Sequence, residues 1–305
     1  MTASDLVVGD RPVPLAVRDH GGDGAPILLL HGLGGTLLHW DAVAPLLTGS
    51  HRVVAMDLRG HGLSGDGPWE WEAVLDDVRA VADHLGLDQP FVVGHSLGGM
   101  VAVRWALRHP DAPGIVNLDG LRSAETEPRH YAGLAQEELQ ELLAEVKAVF
   151  DAQAAAMAQP LPEAHAAMYP QRSLLTTGEG VFVRPSAALA AQVRYDPYFL
   201  DSVEPVAEIR CPALFVLAGR NLPGLPGRVG ELMTAQRAGI RRDLLSLLAD
   251  RPHLRLLDLD ASHAMVVERP EEVARAILDF HAETTGRTGP AGRDESTGRP
   301  WIPSA

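Results

Sequence analysis

The stretch FVVGHSLGGMVAVRWALRHP, residues 91–110, holds a serine between glycines where a β-branched run gives way to a helical pattern. A catalytic serine needs its hydroxyl clear of the backbone and beside donors for a developing oxyanion. A sharp strand-to-helix turn supplies both, but it crowds the positions two before and two after the serine. Around Ser96 those positions are Gly94 and Gly98, where a side chain would clash. Leu97 opens the helix, so its N–H lacks a helical partner and is available to an oxyanion. His95 adjoins the serine and is expected to point away from the upward-facing hydroxyl. A second donor should come from another strand end. LLLHGLGG offers one: His31 and Gly32 follow three leucines, and the N–H of Leu33 can face the same oxygen. These glycines form neither G-x-G-x-x-G nor a GK[ST] ending, so a nucleotide phosphate loop is not indicated. A related stretch, GLSGDG around Ser64, lacks the final glycine and reads as a loop.

Such groups need a rigid frame, and the chain supplies the pattern for one. Short apolar runs alternate with helical periods, the signature of a parallel sheet covered on both faces. LVVGD and VPLAVRD read as opening strands, PILLLHG and RVVAMDLRG as buried strands, and PFVVGHS and PGIVNLDG as the next two. A helix is expected around Trp69–Leu85 and another from Leu97 to Arg108. The alternation then stops. Residues 121–205 look mostly helical, with GEGVFVRPS as a short extended excursion. CPALFVLAG and PHLRLLDLD resume the strand pattern, and RPEEVARAILDFH closes the chain's regular part as a helix. Residues 285–305 are rich in Gly, Pro and Ser without an apolar period and read as a disordered tail. The division expected is a core of residues 1–120 and 206–284, with 121–205 as an inserted cap.

Composition narrows the function classes. At 305 residues, 46% hydrophobic and 22% charged, the chain is an ordinary globular one. A formal charge of −14 disfavours nucleic acid and anionic membrane partners. No apolar run is long enough to cross a bilayer. The start MTASDLVVGDRPVP lacks a basic, apolar signal pattern, so the expected compartment is the cytoplasm. Cys211 is the sole cysteine, which excludes an intrachain disulfide and a cysteine-based zinc site. The thirteen histidines show neither H-x-x-x-H nor H-E-x-x-H, and no metal or cofactor is expected.

Taken together, LLLHGLGGTLLHW, VVAMDLRGHGLS, VVGHSLGG and DASHAMVVERPEEV resemble the α/β-hydrolase fold family. They occur in the family's order over about 250 residues. The resemblance implies an eight-stranded, mostly parallel sheet flanked by helices, with a mainly helical cap inserted after the sixth strand. It implies the chain order nucleophile, acid, base, with the histidine after the last strand. His263 alone fits that place and is the expected general base. His31 is expected to hold the oxyanion loop in shape, as the motif's histidine does in the family.

The acid departs from the common pattern. Many members carry it in a G-x-x-D after the seventh strand, and here that segment reads LAGRNLPG, with Asn221 the nearest polar side chain. A neutral amide stabilises imidazolium poorly. Asp119 in IVNLDG ends the sixth strand, a position from which some members take their acid, and is assigned here. Asp258 and Asp260 compete by closeness to His263 in sequence, and Asp57 is expected to brace its own loop through Arg59 and His61.

The expected activity is cleavage of a small ester, lactone or thioester through an acyl-enzyme on Ser96, with Asp119 and His263 completing a triad. Carbon–carbon bond hydrolysis on the same triad is the alternative, and a ligand receptor with a slow residual triad is the reading from another class. Haloalkane and epoxide chemistry is disfavoured, because relatives that perform it carry aspartate where Ser96 stands. The partner expected is a small molecule with an apolar acyl or ring portion; oligomeric state is not legible. The cap offers Leu139, Leu142, Leu143, Val146, Val149, Phe150, Met157, Met168, Tyr169, Phe182, Tyr195, Tyr198 and Phe199. Most of the helical stripe should pack the cap onto the sheet, and the remainder would line an apolar pocket. Arg122, Arg129, Arg172, Arg184 and Arg194 are candidates for a substrate carboxylate or carbonyl.

Overall fold

Side-chain alternation builds the sheet, and both of its faces are buried. The computed structural model describes residues 4–9, 11–225 and 228–286. An antiparallel pair, β1 (Ser4–Val8) and β2 (Leu15–Gly21), leads into β3 (Ala25–Leu30). β3 reads as an unbroken apolar run because each face meets a separate core layer. Leu28 and Leu30 enter one layer and Ile27 and Leu29 the other, all fully buried. The chain continues through α1 (Ala44–Leu47), β4 (His51–Met56), α2 (Trp71–Leu85), β5 (Phe91–His95), α3 (Leu97–Arg108) and β6 (Ile115–Leu118). The apolar residues Val74, Val78 and Val81 of α2 are buried at helical spacing, and the helix ends at Gly86 in a left-handed conformation, φ 62°.

After β6 the chain leaves the sheet. It forms α4 (Gln136–Met157), α5 (Glu163–Ala166), a hairpin of β7 (Leu174–Thr177) with β8 (Gly180–Val183), α6 (Ala187–Arg194) and α7 (Pro197–Leu200). It returns as β9 (Ala213–Ala218), α8 (Val229–Leu248), β10 (Leu254–Leu259), α9 (Met265–Glu268) and α10 (Pro270–Thr285). The strand order is β1-β2-β4-β3-β5-β6-β9-β10. Among the described strands of this large sheet, the β1–β2 and β2–β4 pairings are antiparallel. β4, β3, β5, β6, β9 and β10 run parallel to one another, so β3, β5, β6 and β9 finish at one rim. The tail expected from residue 285 overlaps the end of α10, and its remainder, from 287, lies outside the described residues.

The inserted segment packs differently from the sequence expectation. Leu139, Leu142 and Val146 of α4 form a small core with Val229, Leu232 and Ala235 of α8 rather than with the sheet. The physical reason is that α8 already covers that part of the sheet and presents its own apolar stripe outward. Met168, Tyr169 and Tyr195 are exposed, so they line no enclosed pocket.

Charge fastens the insertion to the core. Arg172 donates Nε–H to Asp57 Oδ2 at 2.7 Å and Nη1–H to Asp5 Oδ2 at 2.9 Å. Asp57, fully buried, also accepts the backbone N–H groups of Leu37 and Leu63 at 2.7 and 2.8 Å. Asp57 therefore braces its loop through two amides and Arg172, and not through Arg59 and His61 as expected. Arg59 is drawn instead to Asp77, 2.7 Å away, and His61 Nδ1 bonds the Arg59 carbonyl. Removing one partner of a buried pair strands the other charge, so Arg172→Leu is expected to lower unfolding free energy by about 3 kcal/mol. Urea denaturation reads this, and a loss below about 1 kcal/mol would show that the two amides alone satisfy Asp57.

Candidate active site

Ser96 sits between β5 and α3 with φ 53° and ψ −118°, a conformation that L-residues rarely adopt. The glycines on either side make it possible. A Cβ on Gly94 would lie 1.9 Å from the Gly98 carbonyl oxygen, and one on Gly98 would lie 2.3 Å from that of Leu30. The turn is tied to the neighbouring strand end: Ser96 N–H donates to the Leu118 carbonyl at 2.9 Å.

The end of β6 carries a second left-handed residue, Asp119, at φ 53°. Its N–H donates to the Val216 carbonyl at 2.8 Å. Its Oδ1 accepts the Ala218 N–H at 3.0 Å, and its Oδ2 accepts His263 Nδ1–H at 2.7 Å. Burial pushes the Asp119 carboxyl up, but the hydrogen bond and charge of His263 and the Ala218 amide outweigh it and hold the group below its ordinary range. Asp119 is mostly covered and His263 is open: side-chain exposure is 12% for Asp119 and 40% for His263. Asn117 clamps the turn by bonding Gly120 in both directions, at 2.8 and 2.9 Å. The loop bearing His263 is pinned by Glu268, which accepts Ser262 N–H at 2.9 Å and Ser262 Oγ–H at 2.6 Å.

The competing carboxylates are engaged elsewhere. Asp258 pairs with Arg241, and Asp260, exposed, pairs with Arg220. Asn221 donates to the Gly230 carbonyl at 2.8 Å and accepts from Arg237 at 2.5 Å, so it serves α8.

On the facing strand end, His31 donates Nδ1–H to the Gly32 carbonyl at 2.8 Å and accepts the Leu58 N–H on Nε2 at 3.0 Å. Those two partners fix the neutral tautomer, and burial brings its pKa down to about 3. Gly32 lies against the serine: a Cβ built there would be 2.9 Å from Ser96 Cβ and 3.4 Å from Ser96 Oγ. The turn closes with Gly35 N–H on the Gly32 carbonyl at 3.0 Å, leaving Leu33 at its tip. Leu97 begins α3, so its N–H lies beyond the helix's own bonding.

His95 turns toward His263 rather than merely away from the hydroxyl. Its Nε2–H meets the His263 carbonyl at 2.7 Å. Its ring lies 4.7 Å from that of His263 and stacks on His39 at 4.9 Å.

All five cap arginines proposed for a substrate are occupied, because the acidic chain offers each a closer carboxylate. Arg122 pairs with Asp201 and Asp243, Arg129 with Glu127, and Arg172 with Asp57 and Asp5. Arg184 pairs with Asp66, and Arg194 with Glu125 and Asp151. Among the described residues no group of three or more His, Cys, Asp or Glu is placed to hold a metal ion, and no helix is long and apolar enough to cross a membrane. Asn117, Glu268 and His39 were not legible in the sequence as parts of this site. Only Asn117, two residues before Asp119 in a strand-ending NLDG, carries a local turn signal.

A family model described as alpha/beta hydrolase fold matches residues 25–192. A fluoroacetate dehalogenase of Burkholderia sp. is 38% identical over 112 residues, covering 34% of this chain and 36% of the relative. A 2-hydroxymuconate semialdehyde hydrolase of Pseudomonas sp. (strain CF600) is 35% identical over 113 residues, 34% of this chain and 40% of the relative. The matched segments thus span well under half of either relative's length. The crystal structure of E-2-(acetamidomethylene)succinate hydrolase superimposes over 92% of this chain and 99% of its own, with TM-score 0.64 and 22% identity, a likeness of fold.

Burial sets a stability prediction. His31 and His61 are held down to about 3 and His39 to about 4, against 6.5 ordinarily, each chiefly by desolvation. Unfolding frees them to take protons, so between about pH 3 and pH 6.5 the unfolded chain binds more protons and stability falls as pH drops. The melting temperature is expected to be lower at pH 5 than at pH 7. A melting temperature at pH 5 equal to or above that at pH 7 would contradict neutral burial of these rings.

Proposed function

The chain belongs to the α/β-hydrolase fold family, and from that premise we propose that it is a serine hydrolase acting on a small ester, lactone or thioester. The observation that carries the reading is the 2.7 Å hydrogen bond from His263 Nδ1 to Asp119, beside a serine held on a strained strand-to-helix turn. With Nδ1 committed to the acid, the opposite ring nitrogen of His263 is the one to accept the Ser96 proton.

In the proposed reaction Ser96 Oγ attacks the carbonyl carbon while His263 takes its proton. The N–H groups of Leu33 and Leu97 receive the negative oxygen of the tetrahedral intermediate. Collapse expels the alcohol or thiol, with His263 returning the proton to it and an acyl group left on Ser96. Water activated by His263 then releases the acid by the same steps in reverse. Side chains, main-chain N–H groups and water suffice for every step. Because the cap arginines are all ion-paired, the substrate proposed carries an uncharged, apolar acyl or ring portion. A hydroxyl at position 96 suits acyl transfer better than displacement of halide, so the dehalogenase similarity is not carried over to the reaction.

Carbon–carbon bond cleavage is the second reading, favoured by the similarity to 2-hydroxymuconate semialdehyde hydrolase. It uses the same three residues and differs in the leaving group, a carbanion that must be protonated.

Ser96→Ala is expected to abolish turnover of p-nitrophenyl esters and labelling by a fluorophosphonate. Stoichiometric binding without turnover in the unaltered protein would instead mark a receptor. Asp119→Asn is expected to lower kcat by roughly four orders of magnitude with KM little changed. Asn221→Ala should leave kcat within a few-fold of its starting value, and the reverse pattern would move the acid to the β9 loop.

A further inference from the structure

His95 is buried, yet one of its ring nitrogens does something specific. Nε2 lies 2.7 Å from the main-chain carbonyl of His263, an atom that only accepts, so Nε2 carries the proton. Nδ1 must then hold a lone pair. It is buried with no hydrogen-bond partner among the described residues, and a Cβ on Gly32 would sit 3.3 Å from it. Leaving a buried acceptor unpaired costs on the order of 1–3 kcal/mol. An apolar side chain at position 95 would avoid that cost, so the ring's presence calls for a function. Its position indicates one: the ring spans the gap between the serine's strand and the loop that follows β10, with faces on His39 and His263.

Resting on the hydrolase reading above, we infer that His95 is a positioning residue for His263. Its Nε2–H bond to the His263 carbonyl and its ring face against the imidazole hold the base at the distance from Ser96 that proton transfer requires. The loop is also held by Glu268 on Ser262, by Ser262 Oγ on the Ala264 N–H at 3.1 Å and by Asp119 on the His263 ring. None of these bonds is made to the His263 carbonyl, which His95 alone holds among the described hydrogen bonds. Without the His95 bond, the imidazole could pivot about its Asp119 contact. A displacement near 1 Å is enough to cost about a hundredfold in rate. A neutral ring also keeps a second cation away from His263, and desolvation together with the nearby His263 and His39 holds the His95 pKa well below its ordinary value.

Two amide variants separate this role from simple filling of space. His95→Gln carries an N–H at the reach of Nε2, and His95→Asn carries one only at the reach of Nδ1, while both bury a comparable polar group. With p-nitrophenyl acetate as probe, His95→Asn is expected to lose at least about tenfold in kcat with KM within about twofold, and His95→Gln to recover most of that loss. Without substrate, the downfield proton resonance of the His263–Asp119 hydrogen bond is expected to persist in His95→Gln and to broaden or vanish in His95→Asn. The two variants behaving alike in both measurements would overturn the assignment. The unaltered protein supplies a test that needs no variant to fold: nitrogen-15 histidine spectra at pH 7 should show His95 as the Nε2–H tautomer, and the Nδ1–H tautomer, which has no proton for the His263 carbonyl, would sink the proposal. Absence of esterase turnover in the unaltered protein would refute the hydrolase reading, while the spectra would still decide whether the clamp exists.

Discussion

Two non-glycine residues with left-handed backbones, Ser96 and Asp119, stand side by side at the ends of β5 and β6, and the geometry of the site depends on their being locked together. The Ser96 N–H on the Leu118 carbonyl continues the sheet's hydrogen bonding one residue past the strands, just where each chain turns away. Gly120 completes the lock, since a Cβ there would lie 1.9 Å from the Ser96 carbonyl oxygen. Conformations of this kind cost of order 1–3 kcal/mol each and persist only where their surroundings over-determine them. Here the surroundings are Gly94 and Gly98 beneath the serine and the Asn117 clamp on Gly120 beneath the aspartate. Strain at the rim is thus sustained by the buried parallel strands, and a hydroxyl and a carboxylate are presented at fixed separation.

The chain's acidic balance shapes the insertion as much as its apolar residues do. With carboxylates in excess, each cap arginine finds an acidic partner before any substrate arrives, and several of those partners belong to the core. Arg172 reaches Asp57 and Asp5, and Arg184 reaches Asp66 together with the Gly60 and Gly62 carbonyls. Asp57 in turn holds the Leu37 amide, a few residues beyond the loop containing Leu33. The contact that fastens the insertion is therefore continuous with the segment that shapes the proposed oxyanion hole.

Much of this was legible because it follows from local rules. Unbroken apolar runs marked β3 and β5, helical spacing marked α2, and the glycine spacing around Ser96 marked the elbow that opens α3. The helix α8 was not visible: its sequence VGELMTAQRAGIRRDLLSLL is nearly balanced between polar and apolar, and its stripe becomes meaningful only against α4. Asp119 was legible as a strand end, but its bond to His263 spans 144 residues, a relation that no spacing rule encodes. The arginines misled for a related reason. Charge type is written in sequence, and the partner that neutralises it is set by the fold.

The histidines around the rim divide by solvent access, and that division explains how several imidazoles coexist without competing for protons. His31, His61 and His95 are buried, and desolvation holds each in its neutral form well below the pH at which free imidazole titrates. In the proposed reaction a second cation beside His263 would oppose formation of imidazolium as the Ser96 proton moves, so neutral neighbours suit that role. His263 differs from them in two respects at once: its side chain is 40% exposed and its Nδ1 faces a carboxylate. Burial thus sorts the imidazoles of the rim before any difference in chemical identity enters: in the proposed reaction the ring that takes the Ser96 proton is the one open to solvent and hydrogen-bonded to Asp119.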